Sequence, residues 1–454
     1  MLLWKLVRIG LKDSSNKYVL KLALPIVGTN ILSRGPSVVD TAFVGHIGAA
    51  QLAGVGLAQL FIFAAQSFTH ALAIAGTVMI AHRTGENNFS VRQHEGSGNF
   101  TISLIIGVLL SFIFYHLTSV AGDLMGATGD VHKYLMEYSN IFWYFFAFKL
   151  LNYFLASMFQ GSGDSKTPLK VIGSINILNV ILDYGLIFGK FGLPEMGVAG
   201  AAIATGIAET TGALVLYLIA VKRRLIQAGI SLPHIEPSLK FAELGIPVLG
   251  ERLLNIGMQL LFARMVIAIS VTAYAAHQMG VNIEMISLLS GFAFMQTATA
   301  LVGQTLGAKN PEAAVILTKR ASRMSLVVMT ILGLLLIAFP EFWVKAFTID
   351  EEVIAFGKRF LVYGVLCMPL MAVALTYSGG LRGAGETKYV MYVSLLGGWI
   401  VRLSIAYILG FTLGLGLDGI WVMMPIDWAV RALFYYKRFY SRNWETQLIP
   451  SNLI

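Results

Sequence analysis

The sequence predicts an all-α integral membrane protein with about twelve transmembrane helices. They are expected as two parallel-repeat six-helix lobes around a central cleft. Three observations predict this. The 454 residues are 56% hydrophobic and only 13% charged, with a mean hydropathy of +0.73; soluble domains carry about 25% charged residues. Long unbroken apolar stretches recur, each near the roughly 20 residues a helix needs to cross a bilayer. Motifs of the first half return in the second at one fixed offset. The same composition excludes a soluble fold and a disordered chain, because charge is too sparse and apolar content too high. A single cysteine, Cys367, excludes an intrachain disulfide and a Cys-rich metal site.

Taken in order, residues 1–17 read as a basic amphipathic lead-in on the membrane surface, with Lys5, Arg8, Lys12 and Lys17. No apolar h-region precedes a small-residue cleavage site, so no cleavable targeting segment is expected. The first lobe covers 18–221, with spans expected at 18–45, 52–80, 99–121, 135–160, 168–189 and 197–221. A cytoplasmic linker follows at 222–240. The second lobe covers 241–440, with spans at 241–269, 275–303, 322–346, 356–380, 389–412 and 418–438, and 441–454 form a cytoplasmic tail. The runs are continuously apolar, whereas barrel strands would alternate over about ten residues.

The loops set the orientation. Lys and Arg on the side of the termini, including Arg83, Arg92, Lys166, Arg223, Lys319 and Arg438, outnumber those opposite by about four to one. Both termini are therefore expected in the cytoplasm. The net charge of +9 has the same origin and does not point to nucleic acid.

The repeat is specific. Pro25 and Gly28 correspond to Pro247 and Gly250 at an offset of 222 residues. Gly161, Gly163, Asp164 and Lys166 correspond to Gly383, Gly385, Glu386 and Lys388 at the same offset. Gly85 and Asn88 pair likewise with Gly307 and Asn310. Six spans per repeat is an even number, so both lobes insert in one orientation. Such a pair encloses a midplane cleft, the architecture of alternating access, without a second subunit, and a monomer is expected.

Ionisable residues at membrane depth are costly and are functional candidates by default. Asp40 lies deep in the first span, after Pro36, which should kink the helix and free the carbonyl near Leu32. Asp40 is then either a coupling group beside a hinge at Pro36 or a static partner of a buried arginine. Asn179 and Asp183, four apart, share a helix face. Facing Asp40, with a hydroxyl from Thr205, they would make an all-oxygen cluster suited to sodium, and the carboxylates could hold protons. No obvious lysine belongs to that set. Asn179 has the alternative of a helix-packing hydrogen bond. In the second lobe Glu251, Arg264, Glu284 and Arg402 are secondary charged candidates, each as well suited to a structural ion pair as to function. Lys149 and Arg402 are candidates to neutralise carboxylates on other helices, and His70 and His277 read as helix-packing residues rather than proton carriers.

Other chemistry is excluded. His94 and Glu95 lack the second histidine of a zinc protease helix. Gly380 to Thr387 has P-loop spacing, but Glu386 stands where lysine must meet phosphate. No nucleophile and base constellation suggests an enzyme. No loop is long enough for an ATPase domain, so the driving force is expected from an ion gradient, or there is none.

The chain resembles the multidrug and toxic compound extrusion (MATE) family over nearly its whole length. The resemblance rests on Pro25, the run from Val39 to Gly45, Gln160 to Asp164, Asn179 to Asp183, Leu193 to Thr205, Ala275 to Gln278, and Leu381 to Gly383. It implies two six-helix lobes and secondary active export of organic, mainly cationic and amphipathic compounds in exchange for Na+ or H+, with no other cofactor. Carried over by position, the family's first-lobe cation site falls on Asp40, Asn179, Asp183 and Thr205. The acids of the NorM-like and eukaryotic second lobes fall on Asn255 and Met371, so the DinF-like pattern, with coupling in the first lobe, fits. The resemblance places the protein in the plasma (inner) membrane, with small organic molecules and the lipid bilayer as partners and no nucleic acid. The rival function is a flippase for a lipid-linked or polyisoprenoid-phosphate substrate, for which Arg34, Arg252, Arg264 and Arg402 are the candidate phosphate-binding groups.

Overall fold

A computed structural model describes residues 14–447. Most of the expected lead-in, and the tail beyond 447, lie outside the described residues. Among the described residues all regular structure is helical. The helices are α1 (Ser14–Leu32), α2 (Gly35–Gly45), α3 (Ala49–Gly85), α4 (Phe89–Leu124), α5 (Gly129–Gly161), α6 (Lys166–Phe188) and α7 (Gly197–Lys222). The second half follows as α8 (Ile235–Ile269), α9 (Val271–Gly307), α10 (Pro311–Ala338), the short α11 (Pro340–Lys345), α12 (Glu351–Gly383), α13 (Thr387–Thr412), α14 (Gly416–Trp421) and α15 (Met423–Tyr440). Ten of these are long and apolar enough to cross a bilayer. The first expected span is divided between α1 and α2, and the last between α14 and α15.

Local chemistry explains why the halves repeat. Both ends of α3 and α5 recur in α9 and α12 displaced by 222 residues. The Asn88 side chain caps α4 by accepting from the Val91 N–H at 3.2 Å, and Asn310 caps α10 through Ala313 at 2.9 Å. Each cap follows a residue of positive φ, Asn87 at 58° and Lys309 at 56°. A Cβ on Gly161 would lie 2.7 Å from the Thr77 carbonyl oxygen, and one on Gly383 would lie 2.5 Å from that of Thr299. In both halves glycine therefore lets the end of one helix touch the backbone of another.

The described chain forms two compact units: Gly28–Gly245, and a unit running from Ile246 together with the segment up to Val27. The boundaries fall inside α1 and α8. Tyr18, Val19, Leu22 and Ala23 of α1 are buried against Phe294, Leu301, Leu317 and Ala321 of the second unit. Phe241 and Leu244 of α8 belong to the core of the first. The segment after α7 is anchored in the first unit. Gln93 donates to the Ile226 carbonyl at 3.0 Å and the Gln227 N–H to Ser97 Oγ at 2.7 Å. The first core is built around the aromatic face of α5, with Phe142, Trp143, Phe146 and Phe154. The second is built around α9 and α12, with Phe360, Met368 and Met371. In α13, π-helical turns over Leu396–Ser404 and Ile408–Thr412 replace the regular helix of its counterpart α6. Such turns are rare and change the direction of side chains.

Candidate functional site

In the first unit four helices converge on one polar cluster. The break between α1 and α2 places it. Pro36 has no N–H for the Leu32 carbonyl, so the helix stops and restarts with proline in its first turn. The orphaned Leu32 oxygen accepts from Asn176 Nδ2 at 2.5 Å. Asn176 lies against Gly35, where a Cβ would come within 3.1 Å of that nitrogen. The α2 segment then presents Asp40 inward, only 1% exposed.

Asp40 is held from two sides. Tyr138 of α5 donates its hydroxyl to Oδ2 at 2.9 Å, and Thr205 of α7 approaches the same oxygen at 3.2 Å. Asn179 of α6 donates from Nδ2 to the Thr205 oxygen at 3.3 Å, forming a chain from amide to hydroxyl to carboxylate. Asp183, one turn beyond Asn179, faces Asp40, and the two carboxyl groups act on each other. Both Asp183 oxygens and the Asn179 Oδ1 are buried without a hydrogen-bond partner among the described residues. The four residues chosen from the sequence therefore come together, on α2, α6 and α7. Two facing carboxyl groups and an unengaged amide oxygen suit a hard monovalent cation or a proton, since buried carboxylates require a compensating positive charge.

Two neighbours were not assigned to this cluster from the sequence. Tyr138 was missed, although its setting in Glu137, Tyr138, Ser139 and Asn140 is a polar run inside an apolar span. The other is Lys149, read from the sequence as a candidate to neutralise a carboxylate on another helix; it contacts none of the four residues themselves. Its ammonium pairs with Glu209 at 2.9 Å, Asn152 supports Glu209 at 2.8 Å, and the Lys149 field reaches Asp40. Lys149 and Glu209 are far apart in sequence and come together only where α5 packs on α7.

The secondary candidates do not form one site. Glu251 pairs with Arg382 at 2.7 Å, not with its neighbour Arg252, which stands over the Phe292 ring. Arg402 and Arg431 both bind Asp427, at 2.9 and 2.6 Å. This close packing requires glycine at 397, where a Cβ would lie 2.2 Å from an Asp427 oxygen. Arg264 is exposed on α8, and Glu284 is buried on α9.

Comparison with known proteins agrees with this architecture. The MatE family model matches residues 25–185 and 247–408, one match in each repeat. The chain is 30% identical over 436 residues to a probable multidrug resistance protein NorM of Thermotoga maritima, covering 95% of this chain and 94% of the relative. It is 27% identical over 414 residues to an uncharacterized transporter, YisQ, of Bacillus subtilis, covering 89% and 90%. Its fold is similar to that of a mutant of the Vibrio cholerae MATE transporter VcmN, with a TM-score of 0.88, 20% identity, and 96% and 99% of the two chains covered. It is also similar to the eukaryotic MATE transporter AtDTX14, with a TM-score of 0.83, 20% identity, and 96% and 97% covered. A family match over both repeats, with a relative of this identity along almost the full chain, makes this protein a member of the MatE family of multi-pass multidrug efflux transporters.

Proposed function

We propose that this protein is a secondary active antiporter that exports small organic, mainly cationic and amphipathic molecules by alternating access. Na+ or H+ entering at Asp40, Asn179, Asp183 and Thr205 drives it. The observation that carries this reading is the pair of buried, facing carboxyl groups, of which Asp183 has no protein donor to either oxygen among the described residues. Binding of the cation or proton neutralises the pair. The interruption between α1 and α2 at Pro36 takes up the resulting movement of Asp40, because a helix already broken bends at little cost. A ligand shifts such an equilibrium only by its differential affinity for the two states, so the site must be remade when Asp40 moves. The protein acts as a monomer in the plasma membrane with both termini in the cytoplasm, a placement supported by the basic bias of the loops.

The test is ethidium efflux from proteoliposomes with sodium and pH gradients imposed separately. Efflux driven by one gradient, and lost in Asp40→Asn with the fold intact, is the expected result and names the ion. Unimpaired gradient-driven efflux by Asp40→Asn overturns the site assignment. A well-folded protein that answers to neither gradient points instead to a flippase for a lipid-linked phosphate.

A further inference from the structure

The second unit holds a buried acid that the scheme above does not use. Glu284 lies on α9, 5% exposed, and its Oε1 has no hydrogen-bond partner among the described residues. Its position is built by a neighbour. A Cβ on Gly364 of α12 would fall 1.6 Å from that oxygen, so the carboxyl group occupies the notch left by a missing side chain. The charged group whose field reaches it is Arg402 of α13. Arg402 is already engaged with Asp427, which also holds Arg431. Cys367 of α12, buried and donating its thiol to the Tyr363 carbonyl at 3.2 Å, is a neutral neighbour of Glu284. Two turns earlier on the same face of α9, His277 is 7% exposed and has an unpartnered Nδ1, and it too lies within the field of Arg402.

This arrangement differs from the other buried acids of the unit. Glu386 and Asp427 each have a guanidinium in direct contact, as does the half-buried Glu251. Glu284 has a shaped seat and no contacting cation. Among the described residues no group of three or more His, Cys, Asp or Glu side chains could hold a metal ion, and one turn along α9 the buried Ser287 hydroxyl is likewise without a partner. The ligand that completes a single unpartnered carboxyl oxygen in such a seat is a proton. We propose that Glu284, seated against Gly364, is a second proton-binding site of this protein, within the second unit and separate from the Asp40 and Asp183 cluster. A proton from water adds to the carboxylate to give the neutral acid and is released again as the seat changes. The proposal stands whether or not the first-unit site couples transport.

The test is pH-difference infrared spectroscopy of the full-length protein in lipid, reading the C=O stretch of protonated carboxyl groups. Wild type, Glu284→Gln and the double variant Asp40→Asn with Asp183→Asn are compared. Glutamine keeps the volume and polarity of the side chain. The expected result is a titrating carboxyl band that is lost in Glu284→Gln and kept in the double variant. Gly364→Ala, which pushes the carboxyl group from its seat, should shift that band's frequency. A band set in Glu284→Gln identical to wild type across the stable pH range overturns the proposal. So does a wild-type signal wholly lost in the Asp40 and Asp183 double variant.

Discussion

The buried pair of Lys149 and Glu209 permits a quantitative test of how the first unit is held together beside Asp40. The two side chains are 13% and 12% exposed, and the ammonium lies 2.9 Å from Glu209 Oε1. Lys149→Met removes the cation and leaves the carboxylate inside the unit. Breaking a buried pair in this way costs about 3–5 kcal/mol, because the remaining charge has lost its compensation. Asn152 still donates to Glu209 Oε2 at 2.8 Å, and a hydrogen bond to a charged group contributes about 1.5–3 kcal/mol. The expected loss therefore lies near the lower end, about 3 kcal/mol. Replacing both members by apolar residues of similar volume is expected to be close to neutral, since no stranded charge remains. The assay is reversible detergent-induced unfolding of wild type, Lys149→Met, Glu209→Leu and the double variant, read as a double-mutant cycle. A Lys149→Met cost below about 1 kcal/mol, typical of exposed pairs, would refute the reasoning, as would strictly additive single variants.

Four further outcomes are expected. Asp183→Asn should remove gradient-driven efflux as Asp40→Asn does, while thermal unfolding of each stays close to wild type; a collapse of the fold in either would make these acids structural. Gly161→Ala and Gly383→Ala should each destabilise by about 1–3 kcal/mol, because each new methyl meets a backbone carbonyl that cannot move aside; differential scanning fluorimetry reads this, and neutrality of both would contradict the close helix contacts. Asn88→Ala and Asn310→Ala should each cost about 1 kcal/mol through loss of a helix cap. Their effects should add, since the caps share no partners, and strong coupling between them in the same unfolding assay would count against that. Asn176→Ala should lower transport more than stability, because it leaves the Leu32 carbonyl without its donor at the break beside Pro36; efflux rate and melting temperature measured on one preparation separate the two.

Much of the architecture was legible in the chain. Hydropathy located the spans, since a bilayer requires continuous apolar runs of known length whatever the tertiary contacts. The repeat was legible because caps, positive-φ positions and helix-contact glycines are local requirements that must recur wherever the geometry recurs. Asp40, Asn179 and Asp183 were identifiable because a charge or amide at membrane depth is costly enough to stand out. The break at Pro36 follows from the missing N–H alone. Tertiary structure decided the pairings. Tyr138 with Asp40, Lys149 with Glu209, Arg382 with Glu251, and Arg402 with Asp427 join residues on different helices. Spacing along one helix carries no information about the rotation of its neighbour. The seat of Glu284 against Gly364 and the π-turns of α13 were hidden for the same reason. Sequence by itself determined which groups are too costly to be accidental at membrane depth. Only packing decided which of them are neutralised by a partner and which keep an oxygen open for an ion or a proton.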